Sequence, residues 1–240
     1  MGGNRAMSPE QFARALDQYV LDHHPFIHSR WSQQLLQGKL GIEHLRGFAL
    51  EFEHFLRAAP RHFFCVGANC PDVIPDDFDM RRKYAENIMD DLGVNDREQD
   101  HFEIHRRFAY AIGLTKEELD RSTPAPFTVA FNCGILYLAK HLPYEEGLAA
   151  IGWAQEGLFY LGMADRFADA LKQHFGLRQD QLFLPPTEQE TEHSGAVRRA
   201  VLEYAITERN QRRLLEVFKT DYDCWTVFFD GLYYRDILHQ

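Results

Sequence analysis

The chain has 240 residues, 45% apolar, 13% aromatic and 26% charged, with a net charge of −10. Such a composition builds a sizeable core and excludes wholesale disorder. The acidic balance, with no segregated basic patch, argues against a nucleic-acid partner.

The elements read as helices from the start. Residues 1–7 form a tail, and Ser8-Pro9-Glu10 has the cap, the first-turn proline and the acid that open a helix, continued by Phe12, Leu16 and Val20. A short second helix carries Phe26, Trp31 and Leu35 and ends near Gly38. From Ile42 to Val66, Leu45, Phe48, Ala49, Phe52, Leu56 and Phe63 recur at helical spacing, with Pro60 expected to kink or split the run. Pro71 to Asp79 reads as a connection. Arg81 to Ile112 reads as helical on both sides of Gly93 and stops at Gly113, after which Thr115 and Glu118 make a capping box. Phe127 to Leu142, Tyr144 to Phe175, Thr187 or Thr191 to Thr207, and Asn210 to Leu238 complete the count. With no strand alternation and no repeat, the expectation is an all-α fold of seven to eight helices, one domain over residues 8–240.

Cys65, Cys70, Cys133 and Cys224 lack CxxC spacing, and no stretch reaches about 18 uninterrupted apolar residues. The expectation is a soluble, cytoplasmic protein that does not enter a membrane. No Walker loop, GxGxxG, HExxH or GxSxG is present, which turns attention away from nucleotide-driven and serine-hydrolase chemistry.

Glu156 is the most informative residue, because between Gly147 and Ala164 it shares the chain with only one other ionisable group, Tyr160. An acid in such a run is expected to be buried, so it needs a metal, a cation or hydrogen-bond partners. A neutral Glu bonded to Tyr or Trp is the bland alternative. Glu98-Gln-Asp-His101 and Glu190-Thr-Glu-His193 each place Glu and His three residues apart, hence on one helical face. Two such pairs plus further carboxylates are the ligand types of bundle-housed iron or manganese sites. Asp90, Asp91 and His105 compete for the place of Glu98. Glu51, Glu53 and His54 read as a solvated face, and His23, His24 and His28 as a hinge. Phe26, Trp31, Trp153, Phe159, Tyr160 and Trp225 to Phe229 are candidates for a pocket wall without a catalytic role.

The order of segments adds to this. His24-Pro25-Phe26 through Trp31 to Gly38-Lys39-Leu40, the run His101 to Gly113 with Thr115 to Leu119, and the helix around Glu156 together resemble the TenA and PqqC superfamily, with a haem-oxygenase-like fold over nearly the whole chain. Within it the likeness is to the CADD-like and UndA-like di-iron oxidases. That resemblance implies His101 and Glu156 as metal ligands, Glu98 or Asp91 as the acid beside His101, and Glu190 and His193 as the last pair. Family oxidases carry a further His where this chain has Pro186, so two ions, one or none stay open. The resemblance also implies iron as Fe(II), or manganese, with O₂ as co-substrate, an amino-acid-like or fatty-acid-like small molecule as substrate, and a homodimer. A metal-independent TenA- or PqqC-like enzyme of cofactor biosynthesis and a CADD-like protein-interaction module are the alternatives.

Overall fold

A computed structural model describes residues 6–71, 78–94, 96–183 and 187–238; the side chains of residues 78–81, 83, 187–194 and 196 lie outside that description. The Ser8 hydroxyl accepts the Gln11 N–H, and the Gln11 side chain accepts the Ser8 N–H, so both orphan donors at the start of α1 (Pro9–His23) are satisfied. There follow α2 (Pro25–His28), α3 (Arg30–Leu36), α4 (Ile42–Ala68), α5 (Phe78–Asp91), a 3₁₀ turn (Arg97–Gln99), α6 (His101–Ala111), α7 (Lys116–Arg121) and α8 (Pro126–His141). Then come α9 (Tyr144–Leu148), a π-helical turn (Ala149–Ala154), α10 (Gln155–Tyr160), α11 (Met163–Phe175), α12 (Thr187–Tyr204) and α13 (Glu208–Tyr233). No strand occurs among the described residues.

The fold class is all-α, as the periodicity predicts, but the helices are more finely divided than the seven or eight expected. Tyr144 to Phe175 is broken at Gly162, whose φ of +70° a side-chain-bearing residue rarely adopts. Pro60 does not split α4, which runs unbroken through it.

The core is built on aromatic rings from α4 and α13. Phe48 stacks on Phe52 at 5.1 Å, Trp225 meets Phe55 at 5.0 Å and Phe131 of α8 at 4.5 Å. Such pairs contribute about 0.5–1.5 kcal/mol each beyond the area they bury.

Glu51 and Glu53 are the clearest correction to the sequence reading. Both are buried rather than solvated. Arg57 and Arg106 donate to Glu53 Oε1 at 2.8 and 2.7 Å, tying α4 to α6. Thr128, the Ala125 N–H and Arg235 donate to Glu51 at 2.6, 3.0 and 2.5 Å. Arg106 and Arg235, which arrive from elements distant in sequence and are invisible in a local pattern, join Arg57 one turn along α4 in making burial of these carboxylates tolerable.

Candidate active site

Inside the bundle lies a cavity of about 150 Å³. Its walls are mostly apolar, with many aromatic rings, and Asp91, Asp100, His101, Gln155 and Glu156 bring polar atoms to it from α5, the start of α6 and α10.

Asp91 and His101 are neighbours because the chain reverses between them. Gly93, at φ +63°, ends α5 with its N–H on the Asp90 carbonyl, and Val94 N–H bonds the Met89 carbonyl. A Cβ on Gly93 would stand 2.7 Å from the Asp100 Cβ, so only glycine lets the returning strand of chain pass this closely. Asp100 then caps α6 by accepting the Phe102 N–H at 2.8 Å. The result is a distance of 3.5 Å between His101 Nε2 and Asp91 Oδ1.

Glu156 arrives from the other side. The π turn just before it shifts the register of the helix, a feature often found at functional sites. Gly152 and Gly157 let this helix approach its neighbours: a Cβ would come within 2.7 Å of Val197 Cγ1 on α12 and 2.8 Å of Val20 Cγ1 on α1. At the junction, Tyr222 OH donates to the Ala154 carbonyl at 2.9 Å, and His24 Nε2 lies 3.3 Å from the Gln155 carbonyl. Burial drives His24 down to about 4, so its ring is neutral and donates from Nε2. Gln155 Nε2 donates to Asp221 Oδ1 at 2.8 Å, and burial pushes the Asp221 carboxyl up to about 8 against the pull of that bond.

His101 and Glu156 therefore face one cavity, and Asp91 faces it with them. Glu98 does not line it. It is exposed on the 3₁₀ turn, because Asp100 starts α6 anew and the three-residue spacing to His101 no longer measures one helical face. His105 also turns elsewhere: it is fully buried, with Nε2 2.9 Å from the Ala49 carbonyl, and burial lowers it to about 4. Glu190 and His193 fall on α12, the helix seated against the π turn, but their side chains lie outside the described residues, as does Pro186 altogether.

Gln155 and Asp221 were not singled out from the sequence. Asp221 did carry a signal: it occupies an inward position in the α13 series Leu214, Phe218, Asp221, Trp225, Phe228, where every other member is apolar and buried.

A sequence profile of a family described as iron-containing redox enzymes matches residues 46–226. The chain belongs to that family. A 4-aminobenzoate synthase of Chlamydia pneumoniae is 32% identical over 103 residues, 43% of this chain and only 40% of the chlamydial protein. One from Nitrosomonas europaea is 22% identical over 237 residues, covering 95% of this chain and 93% of the relative. In three dimensions the chain resembles a haem-oxygenase-like domain from Shewanella denitrificans (TM-score 0.72, 14% identity, 95% and 93% covered). It also resembles a CADD-like protein from Nostoc punctiforme (0.70, 14%, 97% and 99%) and a TenA homologue from P. horikoshii (0.68, 16%, 95% and 99%). At these identities the structural likeness establishes the haem-oxygenase-like fold. Among the described residues no helix is long and apolar enough to cross a membrane.

Proposed function

We propose that this protein is an iron-dependent oxidase that uses O₂ on a small organic substrate held in the aromatic cavity. The observation that carries this reading is the convergence of Asp91, His101 and Glu156 from three separate helices on one cavity. Two carboxylates and an imidazole are donors that suit Fe(II), and Mn(II) after it. Among the described residues no three His, Cys, Asp or Glu side chains are close enough to hold an ion by themselves. The reading therefore assigns further ligation to Glu190 and His193 on α12. Whether one or two ions bind depends on how the site manages with Pro186 where family oxidases carry a histidine.

Iron in this place supplies the one-electron chemistry that O₂ needs to react with a closed-shell organic molecule. The protein's own contribution is positioning and exclusion of water. Phe52, Phe55, Phe63 and Trp225 wall the cavity with apolar surface, which strengthens every polar interaction made inside it. The curated relatives named 4-aminobenzoate synthase support an aromatic amine as the product to look for first.

The test is anaerobic reconstitution with Fe(II), or with Mn(II) in parallel, followed by metal analysis and by mass-spectrometric assay for 4-aminobenzoate on admission of O₂. Wild type should bind one to two irons per chain, and His101→Ala and Glu156→Ala should bind far less. A wild type that takes up no specific metal overturns the proposal and favours a metal-independent enzyme of the TenA or PqqC type.

A further inference from the structure

We propose that Gln155, held by Asp221, is the residue that recognises the polar substituent of an aromatic substrate in this cavity. The inference rests on reading the cavity as the substrate site, and deepens it by naming the substrate class: a small arene bearing one uncharged hydrogen-bonding group, of the phenol or aniline type.

Three observations lead there. First, the polar residues of the cavity are not equivalent. Asp91, His101 and Glu156 are the proposed metal donors, and Asp100 is engaged by the Phe102 N–H at the start of α6. Among the described residues, Gln155 is the uncharged side chain on the wall that can both donate and accept a hydrogen bond. One of its amide hydrogens is spent on Asp221, while the carbonyl and the other hydrogen accept and donate nothing among the described side chains.

Second, Asp221 is an expensive group to bury for so little. It has no solvent exposure, its only hydrogen-bond partner among the described residues is Gln155, and its Oδ2 has none. Among the described residues no cation stands against it. A leucine at this position in the apolar series of α13 avoids the desolvation cost altogether. What Asp221 does that a leucine cannot is fix the rotation of the Gln155 amide. It is a positioning residue.

Third, the wall beside this pair is set for a polar guest within an aromatic one. Trp225, one helical turn after Asp221, forms part of the cavity, is 3% exposed, and keeps an indole N–H with no acceptor among the described residues. A buried donor of this kind calls for an acceptor. Among the described residues the remaining lining is phenylalanine and aliphatic, and neither Lys nor Arg belongs to it. An arene fills that volume by ring contacts, and a single hydroxyl or amino group can meet the Gln155 amide.

The experiment measures dissociation constants of phenol, aniline and toluene by ligand-observed NMR on the full chain, before and after Fe(II) loading. Wild type should bind phenol and aniline about three- to tenfold more tightly than toluene, the range of one neutral hydrogen bond. Gln155→Leu, or Gln155→Met where the branched side chain impairs folding, should bind all three alike with toluene affinity unchanged. Asp221→Leu should also level the series, whereas Asp221→Asn, which still bonds the amide, should restore the preference. A wild type that does not discriminate, or a Gln155 variant that still does, overturns the proposal. Because the series is read without iron as well as with it, failure of the metal reading shows separately as absent iron uptake.

Discussion

Asp91 Oδ1 and His101 Nε2 stand 3.5 Å apart although they lie ten positions apart in the chain, because Gly93 folds the end of α5 back onto the cap of α6. This local reversal, and not helical spacing, decides which acid accompanies His101 at the cavity.

Asp91→Ala should therefore weaken Fe(II) binding at least about tenfold, by the measure of groups that bind or orient ligands. Glu98→Ala should leave it unchanged, since Glu98 is exposed and outside the cavity. His105→Leu should retain iron too, since His105 bonds the Ala49 carbonyl instead. Metal titration of the three variants under anaerobic conditions checks all of these, and iron loss in Glu98→Ala would return that residue to the ligand set.

Asp221 makes stability fall as pH rises. Burial raises its folded-state pKa from 3.8 to about 8, so between these values the folded chain holds a proton that the unfolded chain has released. The contribution is fully present below about pH 4 and is lost progressively up to about pH 8. Asp221→Asn removes this dependence and should raise stability at pH 7 by roughly 2–4 kcal/mol. Urea unfolding at pH 5, 6, 7 and 8 measures it; parallel curves for wild type and variant would show that Asp221 is ionised when buried.

Gly152→Ala should destabilise the fold by about 1–3 kcal/mol, because the added methyl would meet Val197 Cγ1 at 2.7 Å. Val197→Ala in the same chain should recover much of the loss by making room. Thermal unfolding of the two single variants and the double variant gives the coupling directly, and simple additivity would mean that the π turn and α12 adjust independently.

Glu53→Ala should cost about 3–5 kcal/mol, since it leaves Arg106, itself largely buried, without its main partner. Calorimetry should show Tm falling by roughly 6–20 °C for a chain of this size. A change of a degree or less would mean that Asp120, which also bonds Arg106, suffices on its own.

Much of this architecture is legible in the linear chain. The caps at Ser8 and Thr115, the stop at Gly113, and the three- and four-residue recurrence of apolar side chains are local signals, and the helices begin and end close to where they point. Glu156 stood out for the same local reason, as a lone acid in an apolar run, and it does reach the cavity with His101. Spacing misled wherever helical continuity was assumed. Glu98 lost its face to a new helix start at Asp100, and Tyr144 to Phe175 was divided by a π turn and by Gly162.

What the sequence determined by itself is the all-α class, the helix-bearing segments and the apolar faces, because hydrogen bonds within a helix and the period of its side chains depend on near neighbours alone. The tertiary structure decided which polar groups go inside. Glu53 is buried because Arg106 reaches it from α6, Glu51 because Arg235 does from beyond α13, and Asp91 joins the cavity because a glycine turn carries it there. Burial of a charge is set by the partners that arrive from distant elements, and those arrivals are a property of packing that no single segment encodes.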